Sequence, residues 1–147
     1  MKKLILTLLC GLIFQAGAYA GADEITMDVT RLPETAQQFV KKYFKDAQIA
    51  HIKIEKNVLQ QKSYDVKFVN GNEIEFDNEG QWTDVDCEKS ALPAGIVPAK
   101  IAAYMKKNLP DEKAVSISKD RWGYELKTAS DLELKFDTKG TFKSVDD

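Results

Sequence analysis

The sequence predicts an α+β protein built from two tandem α-β-β-β(-β) repeats, with an antiparallel sheet that carries both helices on one face. Three observations predict it. Asn72 to Asp86, NEIEFDNEGQWTDVD, returns sixty residues later as Leu132 to Asp146, LELKFDTKGTFKSVD, so that Ile74 meets Leu134, Phe76 meets Phe136, Asp77 meets Asp137, Gly80 meets Gly140 and Val85 meets Val145. Ahead of each copy the apolar residues recur at helical spacing and then switch to strict alternation, the periods of a helix and of half-buried strands. Turn residues punctuate the alternating runs closely enough for hairpins, which link neighbouring antiparallel strands.

The first twenty residues, MKKLILTLLCGLIFQAGAYA, have a basic start, a short apolar run and an Ala-Tyr-Ala end, the form of a cleaved export signal. The mature chain is expected to be one domain, residues 21–147, with repeats at about 31–87 and 96–147. The apolar run is shorter than the roughly 20 residues that span a bilayer, and no later stretch is comparably apolar, so no membrane insertion is expected after cleavage. Leu9 stands before Cys10 where a lipoprotein leader wants a small residue, so no lipid anchor is expected. The chain has 21 basic and 23 acidic residues, and two of the basic ones, Lys2 and Lys3, leave with the leader. An acidic mature chain with interspersed lysines and no basic block is a poor partner for nucleic acid. Cys87 is then the only cysteine, expected as a free thiol or a link between chains.

In chain order, Gly21 to Arg31 is a polar lead-in whose alternating Ile25, Met27 and Val29 suit a short edge strand or an arm. Leu32-Pro33-Glu34 opens a helix, with proline tolerated in the first turn and an acid favoured by the helix dipole. Ala36, Phe39, Val40, Tyr43 and Phe44 form its apolar stripe. Four strands follow. Ile52 and Ile54 oppose His51, Lys53 and Glu55; Tyr64, Val66 and Phe68 oppose Asp65 and Lys67; Ile74 and Phe76 oppose Glu73 and Glu75; then comes Gln81 to Asp86. Asn70-Gly71 reads as a two-residue hairpin with both residues at positive φ. After the connector Cys87 to Ile96, Val97-Pro98 restarts the plan with Ile101, Tyr104, Met105 and Leu109, and Pro110 stops the second helix. Val115 and Ile117 supply the next strand, and Trp122, Tyr124 and Leu126, read in phase, the one after, which makes Trp122 a core residue. Five residues are missing from the first hairpin loop of the second copy.

These residues bear a resemblance. The Leu-Pro helix LPETAQQFVKKYF, the alternating strands, and the pair EFDNEGQWTDVD and KFDTKGTFKSVD resemble the PepSY-like domains of exported bacterial proteins, which are related in fold to the tandem-repeat beta-lactamase inhibitor protein. The resemblance covers essentially the whole mature chain and implies an α-β-β-β(-β) unit used twice in a periplasmic protein. Such relatives include inhibitors that hold a partner on the open sheet face and modules of protease propeptides. No inhibitor-specific motif is present from which partner-contacting residues could be carried over.

Chemistry-bearing residues are few. Asp77-x-x-Gly80 has its glycine too early for an EF-hand loop and reads as a hairpin turn. His51 is the only histidine, which rules out a multi-histidine zinc site, and it stands far along the chain from Cys87; no catalytic residue, cofactor or metal is expected. Asp84, Asp86 and Glu88 read as solvated charge. Trp82 has two readings: alternation counted back from Val85 puts it on the open face as an aromatic anchor, while a bulge would turn it onto the core like Phe142. The expected activity is non-catalytic binding of a periplasmic or secreted protein or peptide, inhibitor-like, on the open face formed by His51, Lys53, Glu55, Asp65, Lys67, Glu73 and Glu75, with Trp82 near it. A periplasmic small-ligand or cation carrier is the alternative.

Overall fold

The structure, a computed structural model, describes residues 22–146. The export signal and cleavage site expected from the sequence fall outside the described residues. Nine strands form one antiparallel sheet in simple sequence order: β1 (Glu24–Thr26), β2 (Ile49–Lys56), β3 (Lys62–Phe68), β4 (Glu73–Phe76), β5 (Trp82–Asp86), β6 (Ala114–Lys119), β7 (Gly123–Thr128), β8 (Glu133–Asp137) and β9 (Phe142–Asp146). Helix α1 (Glu34–Tyr43) follows a short 3-10 turn (Val29–Arg31) after β1, and helix α2 (Ala99–Asn108) stands between β5 and β6. Each helix is thus followed by four strands.

Both helices start immediately after a proline, Pro33 and Pro98, and neither has a side-chain cap. Packing holds them. Ala36 and Val40 from the first, Phe44 just after its end, and Ile101 and Met105 from the second enter one hydrophobic core with the inward residues of the strands. The sheet's side of that core is an apolar rung across seven strands, Ile52, Val66, Ile74, Val85, Ile117, Leu126 and Leu134, which are register partners from β2 to β8; Thr26 on β1 and Val145 on β9 continue the register at the two edges outside the core. All seven are at most 1% exposed, whereas Val145 is 49% exposed. A rung of this kind requires every strand to keep its pleat in phase with its neighbours, because a one-residue slip would turn its apolar set to water.

The two halves join through β5 and β6, where Asp84 pairs with Ser118, Val85 with Ile117 and Asp86 with Ser116. The polar lead-in forms the edge strand β1, with Ile25 opposite Lys53.

The Asp-x-x-Gly turns are structural. Asp77 Oδ1 accepts from the N–H groups of Glu79 and Gln81, both at 2.9 Å, and Asp137 Oδ1 accepts from those of Lys139 and Thr141 at 2.9 and 2.8 Å. Gly80, at φ +80°, touches the start of α1; a Cβ there would lie 2.8 Å from Pro33 Cβ and 2.9 Å from the Ala36 nitrogen. The turn therefore docks the β4–β5 hairpin under the helix. At Asn70-Gly71 the expected two-residue hairpin is replaced by a longer loop in which, of those two, only Gly71 has positive φ. Gly71 N–H donates to the Phe68 carbonyl, and Asn70 Oδ1 accepts from the Asn72 N–H at 3.0 Å, so the asparagine side chain closes the turn without leaving the right-handed region.

Candidate functional site

One residue along from the apolar rung, the side chains point away from the helices. In register across the sheet stand Lys53, Asp65, Glu75, Asp84, Ser118, Glu125, Lys135 and Ser144. Beside them runs a second charged row, His51, Lys67, Glu73, Asp86, Ser116, Lys127, Glu133 and Asp146. The structure therefore brings His51, Lys53, Glu55, Asp65, Lys67, Glu73 and Glu75 together on one uncovered face, and extends that face over the second half of the sheet.

The charges on it are unevenly matched. Lys53 pairs with Asp23 at 3.2 Å and with Glu55, Lys67 with Glu73 at 3.1 Å, Lys127 with Asp131 at 3.2 Å and Lys135 with Asp146 at 3.0 Å. Asp65, Glu75 and Asp84, directly opposite one another on β3, β4 and β5, make no ion pair among the described residues. Directly opposed side chains on one face of a sheet stand about 5 Å apart at Cβ, where like charges destabilise the pairing. Burial pushes Asp65 up to about 6, reinforced by Glu73 and Glu75, and one of its oxygens, Oδ1, is enclosed without a hydrogen-bond partner. Asp84 is likewise pushed up to about 6, by burial first and then by the charges of Glu75 and Asp86.

This corrects the reading of Asp84 as solvated charge. β5 is an interior strand only because β6 closes on it, and the flank of Asp84 is then covered by Ser118. In the similar stretch sixty residues later a serine, Ser144, stands where Asp84 does, and that difference was the available signal.

Of the two readings of Trp82 the structure takes the core one, and it moves Trp122 out of the core. A bulge between Glu75 and Phe76 sets Trp82 directly across from Phe76, so Trp82 packs against the core on the helix side, with the Lys119 ammonium 4.4 Å from its ring centre. It is not on the open face. The bulge inserts Thr83 between Trp82 and Asp84 and so breaks the alternation that would have pointed the indole outward. β9 repeats the device, with Phe142 opposite Phe136. Trp122, expected in the core, is 69% exposed, because β7 begins one residue after it and the indole belongs to the β6–β7 turn.

His51 stands across from Lys67, and Cys87 is buried in the core beneath the other face, so the two form no nucleophile pair. Cys87 is 2% exposed, which removes the expected link between chains, and burial pushes its thiol up to about 11. A chain of residues 21–147, in which Cys87 is the one cysteine, is therefore expected at pH 8 to leave Ellman's reagent uncoloured until urea unfolds it, and then to react at one equivalent; rapid reaction of the native chain would show an open core. Among the described residues, no three His, Cys, Asp or Glu side chains converge as a metal ion requires, and no helix is long and apolar enough to cross a membrane.

Fold and site define a class: a two-layer α+β protein with one sheet face under helices and the other exposed and rich in carboxylates. The profile of the PepSY-like family, described as candidate beta-lactamase-inhibitor-like proteins, matches residues 62–144. This chain belongs to that family. A candidate periplasmic protein of unknown function from Bacteroides vulgatus is 40% identical, with 86% of this chain and 100% of that one covered and a TM-score of 0.80. A second from the same organism, assigned to a domain family of unknown function, is 41% identical over 87% and 99% of the two chains, with a TM-score of 0.81. A candidate calcium-regulated periplasmic protein from Bacteroides thetaiotaomicron is 42% identical over 85% and 97%, with a TM-score of 0.80. None of these descriptions names a catalytic activity. No curated protein matches the chain.

Proposed function

We propose that this chain is an exported periplasmic interaction module, inhibitor-like in its use of an open sheet face, which holds a basic segment of a protein or peptide there. The helix-plus-four-strand halves read as tandem repeats of the beta-lactamase-inhibitor type, and the leader ending at Ala20 as the export signal. The observation that carries the reading is the row Asp65, Glu75 and Asp84. These carboxylates lie opposite one another with no ion pair among the described residues, on the side of the sheet that neither helix covers. Holding them there costs stability, and a cationic partner that regains it would be selected by charge and steered in by the same field.

The test is capture from periplasmic extract by the Gly21 to Asp147 chain, with the captured protein identified by mass spectrometry. Asp65→Asn together with Asp84→Asn is expected to abolish capture of a basic partner that 0.5 M salt also releases, whereas Trp82→Ala, on the helix side, leaves it intact. Equal capture by the double variant and the parent would sink the reading.

A second reading, a cation carrier, is favoured by the oxygen donors of the same row and by the description of one relative as calcium-regulated. Calcium takes six to eight oxygens around one point, whereas these carboxylates stand in a line over a sheet, which suits an extended partner better. A melting temperature raised by millimolar calcium, and not in Asp84→Asn, would favour the carrier instead.

A further inference from the structure

The β6–β7 turn presents Trp122 in a built setting. Asp120 Oδ1 accepts from the Trp122 N–H at 2.7 Å and from the Gly123 N–H at 3.1 Å, while the Asp120 N–H donates to the Gly123 carbonyl at 3.0 Å. The Arg121 guanidinium lies 4.8 Å from the ring centre and covers one side of the indole. The hydrogen bonds fix the backbone from which the indole projects, and the guanidinium lies against the ring, which reduces the freedom lost on contact.

Beside the ring is a cavity of about 340 Å³, lined among others by Trp122, Ser118, Glu125, Lys135 and Ser144. Small residues give it depth. Ser118 and Ser144 are short, and Gly123, at φ +151°, has no room for a side chain, since a Cβ would lie 2.0 Å from the Phe136 carbonyl oxygen. Ligand pockets start at about 300 Å³, so this one suits a single large side chain better than a cofactor. Lys135 is already engaged with Asp146 and Lys119 lies against the Trp82 ring, while Lys143 also lines the cavity, so the indole supplies its aromatic surface beside a cationic rim.

The cavity continues the carboxylate row, because Ser118 stands directly across from Asp84 and Glu125 directly across from Ser118. Strands lie about 4.8 Å apart, so Glu125 on β7 is about 10 Å from Asp84 and about 19 Å from Asp65. A partner segment extended across the strands advances about 3.3 Å per residue, and covers those distances in roughly three to six residues.

We propose that Trp122 is the aromatic anchor of the open face, and that its cavity receives one aromatic side chain of a partner segment whose basic residues, three to six positions away, lie on Asp65, Glu75 and Asp84. This rests on the interaction reading above and adds the partner's pattern to it. Tryptophan is among the residue types that dominate interface energies.

The probe is a heptapeptide blocked at both ends, Lys-Ser-Lys-Ser-Gly-Ser-Phe, beside the same peptide with alanine in place of phenylalanine. Binding is followed by indole fluorescence in a Trp82→Phe background, where Trp122 is the only tryptophan, and by calorimetry in the parent chain. The phenylalanine peptide is expected to bind about tenfold or more tightly than the alanine peptide, with a shift in Trp122 emission. Trp122→Ala, an exposed position whose folding is checked by circular dichroism, is expected to erase that difference while both peptides keep their salt-sensitive binding.

Equal affinity of the two peptides, or a preference that survives Trp122→Ala, would overturn the anchor and leave the interaction reading standing. Binding of neither peptide, or binding indifferent to Asp65→Asn with Asp84→Asn, would remove both. Quenching of Trp122 by a soluble saccharide panel, with no response to the phenylalanine peptide, would assign the cavity to a sugar and overturn the proposal.

Discussion

Phe136→Ala is expected to cost about 3–5 kcal/mol of folding stability, the range for truncating a buried phenylalanine, and Phe76→Ala a similar amount. Phe136 is 2% exposed and Phe76 1%. Each meets an aromatic residue of the helix above it edge-on: Tyr104 to Phe136 at 5.5 Å and 83°, Phe39 to Phe76 at 5.6 Å and 83°. Phe136 also meets Phe142 at 5.9 Å. Alanine would leave a void under the helix and remove the ring contacts that seat it. Against a total stability of about 5–15 kcal/mol, either change brings the protein close to unfolding. Urea titration checks this. The midpoint should fall at an unchanged slope, in one transition for both variants, because the buried rung from Ile52 to Leu134 crosses the β5–β6 junction without a gap. Two separate transitions, each variant moving only one, would mean that the halves fold independently.

The second large effect is in pH. Stability is expected to rise as pH falls from 7.5 to 5, contrary to the usual loss of carboxylate pairs. The sign follows from Asp65 and Asp84, each raised to about 6 in the folded chain from an ordinary 3.8. Above pH 6 both are ionised whether the chain is folded or not, and their penalty is fully present. Between about 6 and 4 the folded chain takes up protons that the unfolded chain does not, so the penalty is relieved as pH falls. Both groups retain contact with water, so screening reduces the effect to about 1–2 kcal/mol for the pair, or a few degrees in melting temperature. Asp28 and Asp137 shift the other way, held low by hydrogen bonds from Thr30 and Thr141 respectively, and their stabilisation is lost only below the ordinary carboxylate range. Asp84→Asn should raise the melting temperature at pH 7.5 and flatten its pH dependence. A melting temperature that falls from pH 7.5 to 5.5 would show that the row is already neutralised.

Much of this architecture was legible in the chain. The stripe of Ala36, Val40 and Phe44, the alternation of Ile52, Ile54, Tyr64, Val66 and Phe68, and the paired Asp-x-x-Gly turns each identify an element, because local period and turn chemistry are properties of consecutive residues. The seven charged candidates from His51 to Glu75 were assigned to one face by the same alternation, and the structure places them there.

Alternation failed where the backbone left the regular pleat. One extra residue at Thr83 moved Trp82 to the helix side, and the start of β7 at Gly123 left Trp122 in the turn. By itself the sequence determined the elements, their apolar faces and the acidic character of residues 21–147. Only the tertiary structure decided that β5 and β6 pair, which turned Asp84 into an interior carboxylate, set Asp65, Glu75 and Asp84 in one row, and brought that row up to the cavity beside Trp122. Those outcomes depend on which strands become neighbours and where a bulge falls, and both are settled by packing between residues distant in the chain.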